Sequence, residues 1–353
     1  VCGFHEYCPY WYNGFTTFLA TPPGWYILAY PLYVLTSSVT VAFFLSVILM
    51  LIAAAAAIIY LGKKLAITPL RSVALFALIF GNAIAVGNFL RLGRVHAMLN
   101  TILFIILLLI MWGYRNKYLD KWFFATSVVF GMMLITHYQE TILASLLFVG
   151  LFLEKHGWKE KRKIVLAVLL AVMLSSWWLL GLLANISQSS LLAFHEGKRA
   201  LDLNPDRWLT NIGTYIVPML FLVVLYYYKR VKKISMRNLA FFAPSVVLAV
   251  FYFTKMHVFV PVLKNISQDP YILFFAIQIA FLFILLVDEL KGTMATATAI
   301  ILVLGVIASV MINVIITPFF TKHTPLDKEM INTMDHVTDR YLIAVSSDKS
   351  FRM

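Results

Sequence analysis

Two polar stretches hold the residues best suited to chemistry. They are Leu90-Arg91-Leu92-Gly93-Arg94-Val95-His96 and Thr136-His137-Tyr138-Gln139-Glu140-Thr141, each set between long apolar runs. Charge beside a hydrocarbon layer is costly, so its presence there is read first as function. A guanidinium offers a fork of donors that matches phosphate oxygens, so Arg91 and Arg94 form a candidate clamp for a phosphate or pyrophosphate. Their plainer role is snorkelling to lipid phosphate. His96 is a candidate for proton transfer or substrate contact; its plainer role is a hydrogen-bonded histidine inside a helix bundle. His137 and Glu140 are three apart and share a face if helical. They form either an acid/base or metal-holding pair, or a mutually satisfied pair closing a turn. His5-Glu6 and His195-Glu196, with Lys198 and Arg199, are further candidates at loops, where a solvated surface is the alternative. No phosphate-binding Walker loop, zinc-protease motif or nucleophile elbow is present.

These residues need a frame, and the composition says which kind. Of 353 residues, 61% are hydrophobic and 13% charged. A soluble protein needs more charge to cover its surface. Apolar runs of roughly 20 residues, the length that crosses a bilayer, recur from end to end. The fold class expected is an all-α polytopic membrane protein with about 9–11 transmembrane helices. The net charge of +13 does not indicate nucleic acid, because the basic residues sit in short loops between spans.

The domains expected are an outer aromatic loop over 1–23, a helical membrane domain over 24–316, and a short outward-facing extension over 317–353. Tyr7, Tyr10, Trp11, Tyr12 and Phe15 suit a membrane–water interface. Cys2 and Cys8 fit a disulfide, a metal set with His5 that is one ligand short, or plain thiols. A short apolar piece with Pro31 covers 24–36. Spans are expected at about 38–61, 70–89, 95–113, 164–184, 210–228, 238–254, 270–287 and 293–316. Residues 122–153 are too long for one span and have His137 and Glu140 in the middle, so they read as a hairpin of 122–136 and 139–153. Asn82, Asn88 and Asn100 read as helix–helix glue. Tyr341-Leu342-Ile343-Ala344-Val345 is strand-like, and the tail reads as a soluble domain cut short. The chain begins with valine and an N-terminal segment is expected to be missing.

Alternating sides place Lys63-Lys64 to Arg71, Arg115 to Lys121, Lys155 to Lys163, Lys229 to Lys233, Arg237 and Lys291 together. That side is expected to be cytoplasmic, in a plasma membrane. The N-terminal loop, Arg91/Arg94, His137/Glu140, the 185–209 and 255–269 loops and the tail then face outward. So do the two Asn-Ile-Ser sequons at Asn185 and Asn265.

The segment Trp11-Tyr12-Asn13-Gly14-Phe15, followed by Thr21-Pro22-Pro23-Gly24-Trp25-Tyr26, is similar to the aromatic first outer loop of GT-C membrane glycosyltransferases. The chain most resembles the archaeal and bacterial integral membrane proteins labelled 6-pyruvoyl-tetrahydropterin synthase-related, in which a Gly-Arg stretch opens a later span, as Gly93-Arg94 does. A Ser/Thr-His pair then sits at an outer hairpin, as Thr136-His137 does. The resemblance covers about 1–185. It implies a GT-C-like fold and an enzyme that moves a sugar from a polyprenyl-phosphate carrier on the outer face. Arg91, Arg94, His96, Lys198, Arg199 and His5 would contact substrate; Glu6, His137 and Glu140 are the catalytic candidates. The family places an acid in its first outer loop, whereas Glu6 is the only acid in the first 119 residues here. No cofactor is specified beyond a candidate divalent cation. The partners expected are the bilayer, the lipid-linked sugar, and protein chains at the outer loops and tail. The alternative is a non-catalytic scaffold or anchoring subunit, which the missing acid and charged tail favour. A transporter ranks third, because the polar residues gather at one edge rather than mid-membrane.

Overall fold

The computed structural model describes residues 22–82, 94–184, 208–233, 236–260 and 268–287, the short pieces 7–8, 15–16 and 262–263, and positions 85, 89 and 266. The described chain is helical apart from a two-residue antiparallel pairing, Tyr7–Cys8 with Phe15–Thr16. The helices are α1 (Gly24–Thr36), α2 (Val39–Lys64), α3 (Pro69–Phe80), α4 (Val95–Tyr114), α5 (Ala125–Leu134), α6 (Tyr138–Glu154), α7 (Trp158–Ala184), α8 (Trp208–Val231), α9 (Ala243–Phe253) and α10 (Gln268–Leu286). Among the described residues four segments are long and apolar enough to cross a bilayer: Val39–Lys64, Val95–Tyr114, Trp158–Leu183 and Gln268–Leu286. This is the pattern of an α-helical membrane protein.

The local signals explain most boundaries. Ser38 caps α2 by accepting from the Val41 N–H at 3.4 Å, and Lys63 and Lys64 end it. Pro69 opens α3 at a position where its missing N–H costs nothing. Within the span expected at 70–89, helix α3 ends at Phe80. Asn82 turns its amide back onto the Leu78 and Ile79 carbonyls at 2.9 and 2.7 Å and accepts from the Ala85 N–H at 2.9 Å. That side chain competes with the next helical turn for the backbone groups. The charged run at 158–163, expected as loop, belongs to the first turns of α7.

Contacts sort the helix ends into two sets. At one end, Leu65 after α2 meets Gly113 of α4. Tyr228 near the end of α8 and Phe281 of α10 pack on Trp112. This is the basic end. There Arg115 is buried against Glu154, and its guanidinium lies 4.0 Å from the Trp112 ring centroid. Lys155 gives its ammonium to the carbonyls of Tyr114, Arg115 and Lys117 at 2.7, 2.9 and 2.5 Å. Burial pulls that ammonium below the usual lysine range. Lys163 donates to the Leu119 carbonyl, and Glu160 accepts from the Leu119 N–H at 2.6 Å.

α4 and α6 therefore run parallel, with α5 as the antiparallel return between them. Phe130 on α5 packs on Phe148 of α6, with centroids 4.9 Å apart. The α5–α6 hairpin matches the split expected for 122–153. The core of this bundle includes the fully buried Phe123, Phe221, Phe241, Phe242, Phe275 and Phe281. At Gly150 of α6 the backbone carbonyl of Phe241 sits where a side chain would begin, 2.0 Å from an ideal Cβ. Phe44, Ile48 and Ile52 form an exposed apolar stripe on α2, a surface suited to lipid rather than water.

Candidate functional site at the far end of the bundle

Opposite the basic end, four connections converge. Gly24 starts α1 by donating its N–H to the Ile135 carbonyl at 2.7 Å. A Cβ there would meet the Thr136 hydroxyl at 2.2 Å, so only glycine lets α1 dock on the α5–α6 turn. The turn is closed by Thr136 and His137 N–H groups, both donating to the Met133 carbonyl at 3.0 Å. The His137 carbonyl then accepts from the Thr141 hydroxyl at 2.8 Å and from the Asn100 amide of α4 at 3.0 Å. Asn100 also donates to the Thr141 hydroxyl, at 3.4 Å. It is fully buried, and it joins α4 to the hairpin as expected of a helix–helix amide. Asn82 bonds to carbonyls of its own segment, and Asn88 lies outside the described residues.

Arg94, at the start of α4, forms an ion pair with Asp269 at the start of α10. The two side chains are 48% and 37% exposed, so the pair stands at the mouth of the cluster. His96, two residues on, is held by aromatic rings rather than by the hydrogen bonds expected of a bundle histidine. Trp25 and Tyr26 of α1 lie 5.6 and 5.2 Å from it, centroid to centroid. Trp25 is fixed in turn by donating to the Ser46 hydroxyl at 3.1 Å. His137 and Glu140 come to the same end but do not bond to each other. The Nδ1 atoms of His96 and His137 and both Glu140 carboxyl oxygens are buried with no hydrogen-bond partner among the described residues. The expectation of a mutually satisfied pair is corrected: His137 spends its carbonyl on the hairpin, and the Glu140 side chain lies on a crevice between α4, α6 and α10. That crevice is lined by Thr101, Phe104, Glu140, Leu143, Pro270 and Phe274, among others.

The groups act on one another. His137 is within electrostatic reach of His96 and Arg94, and Glu140 is within reach of Arg94 and Asp269. Of the residues singled out in the sequence, Arg94, His96, His137 and Glu140 thus share one site. Arg91, His5, Glu6, Lys198, Arg199 and Cys2 lie outside the described residues. Among the described residues no group of three or more His, Cys, Asp or Glu side chains comes together that could hold a metal ion. Among the described residues at the far end, Asp269 is engaged by Arg94.

Two neighbours were not legible in the sequence. Asp269 was part of an outer loop with nothing to mark it except an acid directly before Pro270 and an apolar run. His257 is buried at the same end between Tyr252 and Tyr271, at 4.7 and 5.4 Å. Burial lowers its basicity, and the nearby Lys255 charge lowers it further. An apolar cavity of about 280 Å³ lies between α2, α3 and α4, lined by Leu51, Phe76, Phe80, Ala85, Phe89 and Met98. Met98 is one helical turn from Arg94. No family model, curated protein or solved structure matches this chain.

Proposed function

We propose that this chain is a GT-C-like membrane glycosyltransferase of about 9–11 spans, working on a polyprenyl-phosphate-linked sugar at the outer face of a plasma membrane, with its basic end cytoplasmic. The observation that carries the reading is the Arg94–Asp269 pair, half-exposed and coupled to Glu140. It places a cation and an ionised acid side by side at a polar end. Glycosyl transfer needs both. The acceptor oxygen attacks the sugar's anomeric carbon, the bond to the carrier phosphate breaks, and the phosphate leaves with the electron pair. Arg94 would steady that departing charge, and Asp269 would take the acceptor's proton. Asp269 thereby fills the place for which Glu6, His137 and Glu140 were the sequence candidates. The apolar cavity one turn from Arg94 offers room for an isoprenoid segment.

The test is transfer from radiolabelled polyprenyl-phosphate hexoses by the protein in liposomes. Asp269→Asn should reduce transfer by roughly 10²-fold or more. Absence of transfer from every hexose donor, with the protein folded, would sink the reading.

A second reading, a non-catalytic scaffold for an outer domain or partner chains, is favoured by one observation. Arg94 is already neutralised by a residue of the same chain. In that case Arg94 and Asp269 variants would leave the capture of outer partners unchanged.

A further inference from the structure

The Glu140 carboxyl is buried in the bundle, and neither oxygen has a donor among the described residues. The Asn100 amide is close enough to act on the carboxyl, and it also donates to the His137 carbonyl and the Thr141 hydroxyl. The Asn100 side-chain oxygen is itself buried without a donor. The carboxyl thus depends on one neutral amide that already serves two other acceptors. A bare carboxylate left this way bears the full cost of desolvation. Arg94 acts on it only from a distance, and Asp269, to which the guanidinium is paired, opposes that effect. The crevice beside Glu140 has room for about one water-sized occupant, and most of its lining is apolar.

We propose that Glu140 is a proton-binding site inside the bundle, its carboxyl carrying the proton that the surrounding acceptors lack. One proton turns an acceptor into a donor and removes the uncompensated charge in a single step. The groups that act on it are Asn100 of α4, Arg94 at the start of α4 and Asp269 at the start of α10; His96, His137, Tyr252, Lys255 and His257 stand at the same end of the bundle. With Asp269 paired to Arg94 and Glu140 carrying a proton, the site holds two carboxyls in different environments, the arrangement that separates acid from base roles. The inference does not depend on glycosyl transfer and holds equally for a scaffold.

The experiment is infrared difference spectroscopy of the whole chain in an ester-free detergent, wild type against Glu140→Gln. The expected result is a protonated-carboxyl band in the wild type at neutral pH, absent from the variant and lost when the wild type is taken to alkaline pH. Identical spectra from the two proteins at neutral pH would overturn the proposal. So would loss of the band on replacing choline chloride with sodium chloride at fixed pH, which would make the site one for a small cation. Thermal unfolding reads the same question separately. Glutamine copies a neutral acid, so the variant should melt with the wild type at neutral pH and above it at alkaline pH. A variant that melts well below the wild type at neutral pH would mean that the carboxyl is ionised. If the variant does not fold, the wild-type band and its pH and sodium responses decide alone.

Discussion

Arg115 grips Glu154 in a buried fork: its Nε lies 2.8 and 3.0 Å from the two carboxyl oxygens, and a terminal nitrogen donates to one of them at 2.7 Å. The pair ties the last turn of α4 to the last turn of α6. Removing one partner leaves the other buried and uncompensated. Glu154→Gln is expected to lower unfolding stability by about 3–5 kcal/mol. Thermal unfolding in detergent checks this, and a loss below about 1 kcal/mol would mean that water reaches the pair.

Gly150 lets α6 approach the Phe241 backbone. Gly150→Ala puts a methyl group against a carbonyl that cannot rotate away. The expected loss is about 1–3 kcal/mol, the range for overpacking. Gly181→Ala is the matched control, since nothing lies within 4 Å of its Cβ position. It should be neutral or slightly stabilising. Equal losses at both positions would argue against this packing.

The Arg94–Asp269 pair separates stability from activity. Both side chains reach solvent, so breaking the pair should cost about 1 kcal/mol or less. Under the proposed function, Arg94→Gln nevertheless abolishes transfer. A variant that unfolds and loses activity together would show a structural role only.

His257 gives a pH dependence. Its folded form favours the neutral ring because burial resists the charge. The unfolded chain takes up the proton first, so stability is full above about pH 6.5, the ordinary histidine value. It falls as the pH drops from there toward the lowered folded value. His257→Gln should flatten that acid-side decline in a series of melts. An unchanged slope would assign the decline to another group.

The long helices were legible because a run of apolar residues has few other places to go. The span expected at 95–113 became Val95–Tyr114, and the hairpin at 122–153 followed from its length and its polar middle. The early end of α3 was not legible, because it depends on which way one amide, Asn82, turns. Nor was the site as a whole. Arg94 and Asp269 are 175 positions apart, and nothing local links them. The polar residues of the opening stretches announced a site, but whether each was paired could only be read once α10 stood beside α4.

Lys155 finishes α4 from a distance of about 40 positions along the chain. In the order of synthesis, the carbonyls of Tyr114, Arg115 and Lys117 emerge long before the ammonium that serves them. Their bonds to the Lys155 ammonium form only when α5 has crossed and α6 has returned. A ribosome halted before Lys155 would hold α4 with those three bonds still unmade.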